Sequence, residues 1–197
     1  MASLVKHGNP SDLLPTHFTE DITRWLAEDT PSFDYGGFVV GSSERNAFLL
    51  CKSPGVLAGV PFFEEVFRQC GCAVSWHYAE GTYLDPKQEG GTMKVSTVTG
   101  PTRKLLLGER VALNMLARCS GVATKSQKML QLVREAGYQG IIAGTRKTTP
   151  GFRLVEKYGM LIGGIDGHRH DLSSMIMLKD NHIWAKGARS NISENIY

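Results

Sequence analysis

Long apolar runs are missing from this 197-residue chain. No stretch approaches the ~18 consecutive apolar residues that a membrane span needs. Met1–Thr16 is polar and broken by Pro10 and Pro15. It holds no apolar core of the ~7–15 residues a secretory signal requires, so the expected compartment is cytoplasmic and no membrane contact is expected. Cysteine is scarce. Cys51, Cys70, Cys72 and Cys119 include no C-x-x-C pair, and the Cys70–Cys72 spacing fits no zinc pattern. In a cytoplasmic chain they read as buried, reduced thiols. Internal repeats and low-complexity segments are also absent. The basic residues are dispersed, without an aromatic-rich strand beside them, so no nucleic-acid partner is expected. With 42% hydrophobic and 21% charged residues, wholesale disorder, coiled coil and collagen-like repeats are excluded.

What is present is unevenly charged. Residues 1–99 carry 7 Lys/Arg against 12 Asp/Glu, while residues 100–197 carry 15 against 7. A basic half beside an acidic half suggests that the basic half handles anions. The first hundred residues read as α+β. Residues 19–28 predict a short helix with Thr19 as N-cap and Ile22, Trp25 and Leu26 on one face. Residues 46–51 predict a strand. Pro61 opens a helix through Gln69 with Phe62, Phe63, Val66 and Phe67 inward, closed by Gly71. Residues 73–78 predict a second strand. Residues 92–99 alternate with period two, as a half-exposed strand does.

The texture changes near Gly100-Pro101. Residues 109–136 carry a long helical pattern that Ser120-Gly121 is expected to kink or split. An apolar strand, Gly140–Gly144, follows and ends in Thr145-Arg146-Lys147. Then come a helix over 151–159, a Gly-rich turn at 163–167, and a strand, Met175–Leu178, ending in Lys179-Asp180-Asn181-His182. Strand, helix, strand predicts βαβ units and a parallel sheet. In such sheets chemistry sits at the carboxyl ends of strands. Both strands deliver cations there, and the TRKTTPG segment adds hydroxyls and turn backbone that suit anionic oxygens. A single Arg or Lys after a strand is usually a solvated loop residue. Two strands ending this way, with His168-Arg169-His170 between them, leave the anion site and the solvated loop both open. A metal reading through His168, His170 and His182 has no Cys or carboxylate geometry behind it.

The segments Lys52–Gly59 (KSPGVLAG), Leu105–Gly121 (LLLGERVALNMLARCSG), Ala143–Gly159 (AGTRKTTPGFRLVEKYG) and Met177–His182 (MLKDNH) resemble the quinolinate phosphoribosyltransferase family. The resemblance implies an α/β fold: an N-terminal α/β sandwich domain followed by an open α/β barrel. It implies phosphoribosyl transfer from phosphoribosyl diphosphate to the ring nitrogen of quinolinate. Carbon dioxide and diphosphate leave, giving nicotinate mononucleotide for NAD biosynthesis. It also implies Mg2+ with the diphosphate and a homodimer or dimer-based hexamer. By the same resemblance Arg110 looks like an arginine that reaches the neighbouring subunit's site. Arg146 matches a ligand of a quinolinate carboxylate, and Lys147 a residue near the phosphates. His168 and Arg169 match the His-Arg pair of the substrate pocket. Lys179 matches the lysine ending the second barrel strand, and Lys147 and Lys179 are the expected catalytic residues. These residue types suit the chemistry. Arginine forks onto carboxylates, and lysines and magnesium stabilise charge building on departing diphosphate beside an oxocarbenium-like centre.

The chain supplies about two of the barrel strands. The resemblance ends near Gly187 and leaves a polar tail, ARSNISENIY. The expected division is therefore 1–115, the N-terminal domain; 116–187, the first part of an incomplete barrel; and 188–197, the tail. Carboxylates for magnesium belong to the later strands, so no protein ligand for the metal is expected here. Two further readings stand beside the transferase. One is an inactive truncated form that associates with the full-length chain. The other is a related phosphoribosyltransferase acting on another pyridine or base.

Overall fold

The 19–28 pattern forms helix α1 (Phe18–Asp29) in the computed structural model, which describes residues 8–187. The 188–197 tail lies outside the described residues. The N-cap of α1 is His17, not the expected Thr19, whose hydroxyl turns back to the Thr16 carbonyl at 3.4 Å. Helix α2 (Tyr35–Val40) follows, capped by the Asp34 carboxylate, which accepts from the Gly37 amide at 2.8 Å. Then come β1 (Glu44–Cys51), β2 (Gly55–Val56), α3 (Val60–Gln69), β3 (Ala73–Trp76), β4 (Tyr83–Leu84) and β5 (Met93–Pro101). Helix α3 behaves as its sequence predicts. Pro61 sits in its first turn and Phe62, Phe63, Val66 and Phe67 are buried. Gly71, at φ 73°, closes it by letting the Cys72 amide reach the Phe67 carbonyl at 2.8 Å.

One antiparallel sheet has the order β1-β5-β3, with Val98 of β5 facing Ala47 on one side and Val74 on the other. A bulge between Leu49 and Leu50 breaks the period-two alternation, so Val95 and Ser96 are both buried. A two-stranded ribbon, β2-β4, stands beside it. Phe62, Val66, Val95, Val98, Leu105 and Met115 share one core between the sheet, α3 and helix α4 (Thr102–Glu135).

Helix α4 is a single 34-residue helix. It is not split at Ser120-Gly121. The Ser120 hydroxyl accepts from the Ala58 amide and donates to the Ala58 carbonyl, both at 3.0 Å. The Thr124 hydroxyl accepts from the Val56 amide at 2.8 Å. The hydroxyls satisfy backbone at and beyond β2, and that tertiary hold outweighs the weak helix propensity of the pair. The expected division at residues 115/116 falls inside this helix. Helix α5 (Arg153–Ile162) lies close against α4. A Cβ at Gly159 would stand 2.6 Å from the Cys119 carbonyl oxygen, and one at Gly163 2.4 Å from that of Ala123. Val155 and Tyr158 of α5 join the same core.

The two expected parallel strands do not form. Gly140–Gly144 makes one isolated parallel bridge, Ala143 to Asp166, and Met175–Leu178 forms no strand. Ile141 is 76% exposed and Ile176 92%. A buried parallel strand needs a ladder on its flanks and helices on its faces, and among the described residues neither run finds them. The partner of Ala143 lies in the Gly-rich turn. Lys179-Asp180-Asn181-His182, read as a strand end, instead opens helix α6 (Asp180–Ala185).

Candidate functional site: a cationic loop and turn held by α5

The TRKTTPG loop runs from the Ala143 bridge to α5. The Thr145 hydroxyl accepts from the Lys147 amide at 3.0 Å, and the Thr148 amide donates to the Arg146 carbonyl at 3.0 Å. This tight path half-buries Arg146 and turns Lys147 outward. The Arg146 Nε is enclosed and has no hydrogen-bond partner. Helix α5 fastens the loop. Glu156 accepts from the Thr149 amide at 3.1 Å and from its hydroxyl at 2.7 Å, with Arg118 of α4 at 3.9 Å. Arg153 Nε donates to the Thr148 hydroxyl at 3.1 Å.

The turn bearing His168 and Arg169 lies alongside. The Asp166 amide donates to the Ile142 carbonyl and the Gly144 amide to the Asp166 carbonyl, each at 2.8 Å. The Asp166 carboxylate accepts from the His168 amide at 2.5 Å. His168 has φ 55°, the single positive φ among described non-glycine residues. Arg169 is 7% exposed and donates through Nη1 to the Met175 carbonyl at 3.2 Å. Lys157 of α5, also 7% exposed, donates to the Gly167 carbonyl. Burial, then the Arg153 guanidinium, hold its pKa below the usual lysine range, and Asp166 opposes them.

Helix α5 is itself anchored to the N-terminal layer. The Tyr158 hydroxyl donates to Glu80 Oε2 at 2.5 Å, and the Tyr158 ring meets Phe62 edge-on at 5.3 Å. Glu80 Oε1 accepts from the Gly59 and Val60 amides at 2.6 and 3.0 Å, at the start of α3. Burial pushes the Glu80 carboxyl up, against the pull of its donors.

Two of the four expected groups are thus brought together: the Arg146–Lys147 loop and the His168–Arg169 turn. Lys179 is exposed at the start of α6, where its amide donates to His182 Nδ1 at 3.2 Å. Arg110 is exposed on α4, about 12 Å along the helix from Arg118. Among the described residues neither shares a hydrogen bond or ion pair with the loop or the turn. Two residues escaped the sequence reading, Glu156 and Lys157. Both are charged yet sit in VEKYG, where five consecutive positions are buried, and a helical pattern gives no sign of such burial. Asp166 and Glu156 are occupied by amides, and the half-buried Arg146 and the buried Arg169 are carried by two segments joined through the Ala143–Asp166 bridge, an arrangement suited to an anion. Among the described residues no three His, Cys, Asp or Glu side chains converge. No described helix is long and apolar enough to cross a membrane.

Residues 27–120 match the N-terminal domain of quinolinate phosphoribosyl transferase and residues 122–196 its C-terminal domain. The second match reaches into the stretch set apart as a tail. The chain is 52% identical over 176 residues to the nicotinate-nucleotide pyrophosphorylase (carboxylating) of Rattus norvegicus, covering 89% of this chain and 57% of that protein. Against the protein of the same name from Dictyostelium discoideum, identity is 48% over 196 residues, covering 94% and 65%. NadC from Streptococcus pyogenes superposes with a TM-score of 0.77 at 35% identity, over 90% of this chain and 63% of that one. The nicotinate-nucleotide pyrophosphorylase of Francisella tularensis gives 0.75 at 28%, over 91% and 62%. The chain therefore spans less than two thirds of the length of these relatives. The fold is the α/β fold expected: an N-terminal α/β domain followed by the first part of an open α/β barrel.

Proposed function

The chain belongs to the quinolinate phosphoribosyl transferase family, and from that premise we propose that it serves phosphoribosyl transfer from phosphoribosyl diphosphate to quinolinate. Carbon dioxide and diphosphate leave, and nicotinate mononucleotide enters NAD biosynthesis. In this reading residues 1–115 are the N-terminal domain and 116–187 the start of the barrel. Arg146 and Arg169 take the quinolinate carboxylates, with His168 beside them. Lys147, on the outer side of the loop, meets the phosphates. Lys179 joins them when the 175–178 run ahead of α6 is paired into a sheet. Arg110, exposed on α4, reaches the site of a second copy in a homodimer or dimer-based hexamer. Magnesium accompanies the diphosphate of the cosubstrate. Four free cysteines suit a reducing compartment such as the cytosol.

The observation that carries the reading is the enclosed, unpartnered Nε of Arg146 beside the turn that bears the buried Arg169. Buried cations without counter-ions are costly, and a dicarboxylate satisfies both. Neutralising the dianion also lets it approach a polyanionic cosubstrate, and alkylation of the ring nitrogen then makes the pyridinium an electron sink for decarboxylation. The test is calorimetric titration of the chain with quinolinate and nicotinate. Quinolinate is expected to bind more tightly. Arg146→Ala should weaken it by about 30- to 1000-fold, since a charge-assisted pair is lost, and Arg146→Lys should recover only part, because an ammonium cannot fork. Equal affinity for nicotinate would favour the related-transferase reading. Unchanged quinolinate affinity in Arg146→Ala would overturn the site.

A further inference from the structure

Lys157 is a buried ammonium on a helix whose Val155, Glu156, Tyr158 and Gly159 are buried as well. An apolar side chain of similar length would fill that space without desolvating a charge. What the ammonium adds is one bond, to the Gly167 carbonyl, and its stem lies alongside: a Cβ on Gly167 would sit 3.7 Å from Lys157 Cδ. The residue after Gly167 is His168, held at φ 55°. A non-glycine residue stays in that region only where its surroundings impose it. Three bonds impose it from the loop side and from within the turn: Asp166 amide to Ile142, Gly144 amide to Asp166, and His168 amide to the Asp166 carboxylate. From the helix side the hydrogen-bonding side chain is that of Lys157.

We propose that Lys157 is a positioning residue, whose bond to the Gly167 carbonyl fixes the His168–Arg169 turn on α5 and so sets its distance from Arg146. The proposal deepens the function proposed above and rests on it for the identity of the anion, but the turn itself is open to measurement without any ligand. The same helix fastens the Arg146 loop through Glu156, the preceding residue, and Arg153, one turn earlier. Helix α5 is therefore the common base of both cationic segments, with Glu156 setting one and Lys157 the other.

The experiment is amide hydrogen exchange on the ligand-free 197-residue chain, with Lys157→Met, Lys157→Gln and Lys157→Arg, followed by quinolinate titration of each. Losing a hydrogen bond from a charged donor should speed exchange at the Gly144, Asp166 and His168 amides by about tenfold or more in the Met and Gln variants. The Thr149 amide, held by Glu156, should keep its rate, as should the amides of α3 and α4. Lys157→Arg retains a charged donor and should restore protection at the turn. Quinolinate affinity should fall in the Met and Gln variants and return in part with Arg. Unchanged exchange at the three turn amides overturns the proposal, even if affinity falls, because Lys157 then acts on the ligand directly. Faster exchange spread evenly over α3 and α4 in both neutral variants also overturns it, since Lys157 is then a general packing residue. If no variant and no wild-type chain binds quinolinate while the turn amides respond as stated, the positioning role stands and the substrate reading falls.

Discussion

Glu80 shows how one residue couples the two halves of the molecule. Its carboxylate caps α3 through two amides and accepts from Tyr158 of α5. Burial raises its pKa, and burial together with that carboxylate pushes the Tyr158 hydroxyl up, so the phenol remains the donor. A carboxyl whose folded pKa lies above its unfolded value takes up a proton on folding between the two. Stability from this group is therefore fully present below the unfolded value and is lost as pH rises through the folded one. Glu80→Gln removes the titration while keeping an oxygen to accept from the amides. Urea denaturation from mildly acidic to neutral pH should show the Gln variant gaining on the wild type as pH rises. A constant difference across that range would mean that Glu80 does not titrate where its burial implies.

Helices α4 and α5 carry opposite lessons about glycine. A Cβ added to Gly121 of α4 would meet nothing within 4 Å, whereas a Cβ on Gly159 would collide with the Cys119 carbonyl and Val122. Gly121→Ala should stabilise the chain by about 0.5–1 kcal/mol through helix propensity. Gly159→Ala should destabilise it by about 1–3 kcal/mol through overpacking. Chemical denaturation of both variants checks the pair, and a neutral Gly159→Ala would show that α4 and α5 are not in close contact. The sequence alone made the two glycines hard to tell apart, because a glycine that breaks a helix and one that admits a neighbour look the same without the neighbour. Local signals were legible wherever one element decided its own form. Pro61 and Gly71 bounded α3, the aromatic spacing named its buried face, and the alternation of 92–99 gave β5. The bulge at Leu49/Leu50, the hydroxyl ladder from Ser120 and Thr124 to Val56 and Ala58, and the bridge to Asp166 were not legible, because each depends on a residue more than 20 positions away. The cationic residues of the loop and turn were readable from their motifs. Their supports Glu156 and Lys157 were masked by a helical pattern that treats charge as a sign of exposure.

At the scale of the whole molecule, one core runs from Ile22 through α3 and the sheet to Val155 and Tyr158, so α5 packs on the N-terminal layer. What stands outside is the pair of runs expected as barrel strands. Ile141, Met175, Ile176 and Leu178 are 76%, 48%, 92% and 57% exposed. Each such side chain forgoes roughly 1.5–3 kcal/mol of burial, and together they approach the ~5–15 kcal/mol net stability of a domain. Unpaired backbone along the same runs adds an edge open to association. Lys179 follows the second run and is exposed. The chain purified alone is therefore expected to give no detectable nicotinate mononucleotide from quinolinate and phosphoribosyl diphosphate, even where it binds quinolinate. Limited proteolysis should cut first within 138–151 and 170–179 and leave α1 to α4 protected, with α5 held on the core as a nicked fragment. Activity should rise when this chain is added to a longer family member whose own counterpart of Arg110 is disabled, because the exposed Arg110 of this chain can complete that member's site. Turnover near ~1 per second by the chain alone, with 170–179 resistant to protease, would sink the prediction and mean that the two runs pair between copies.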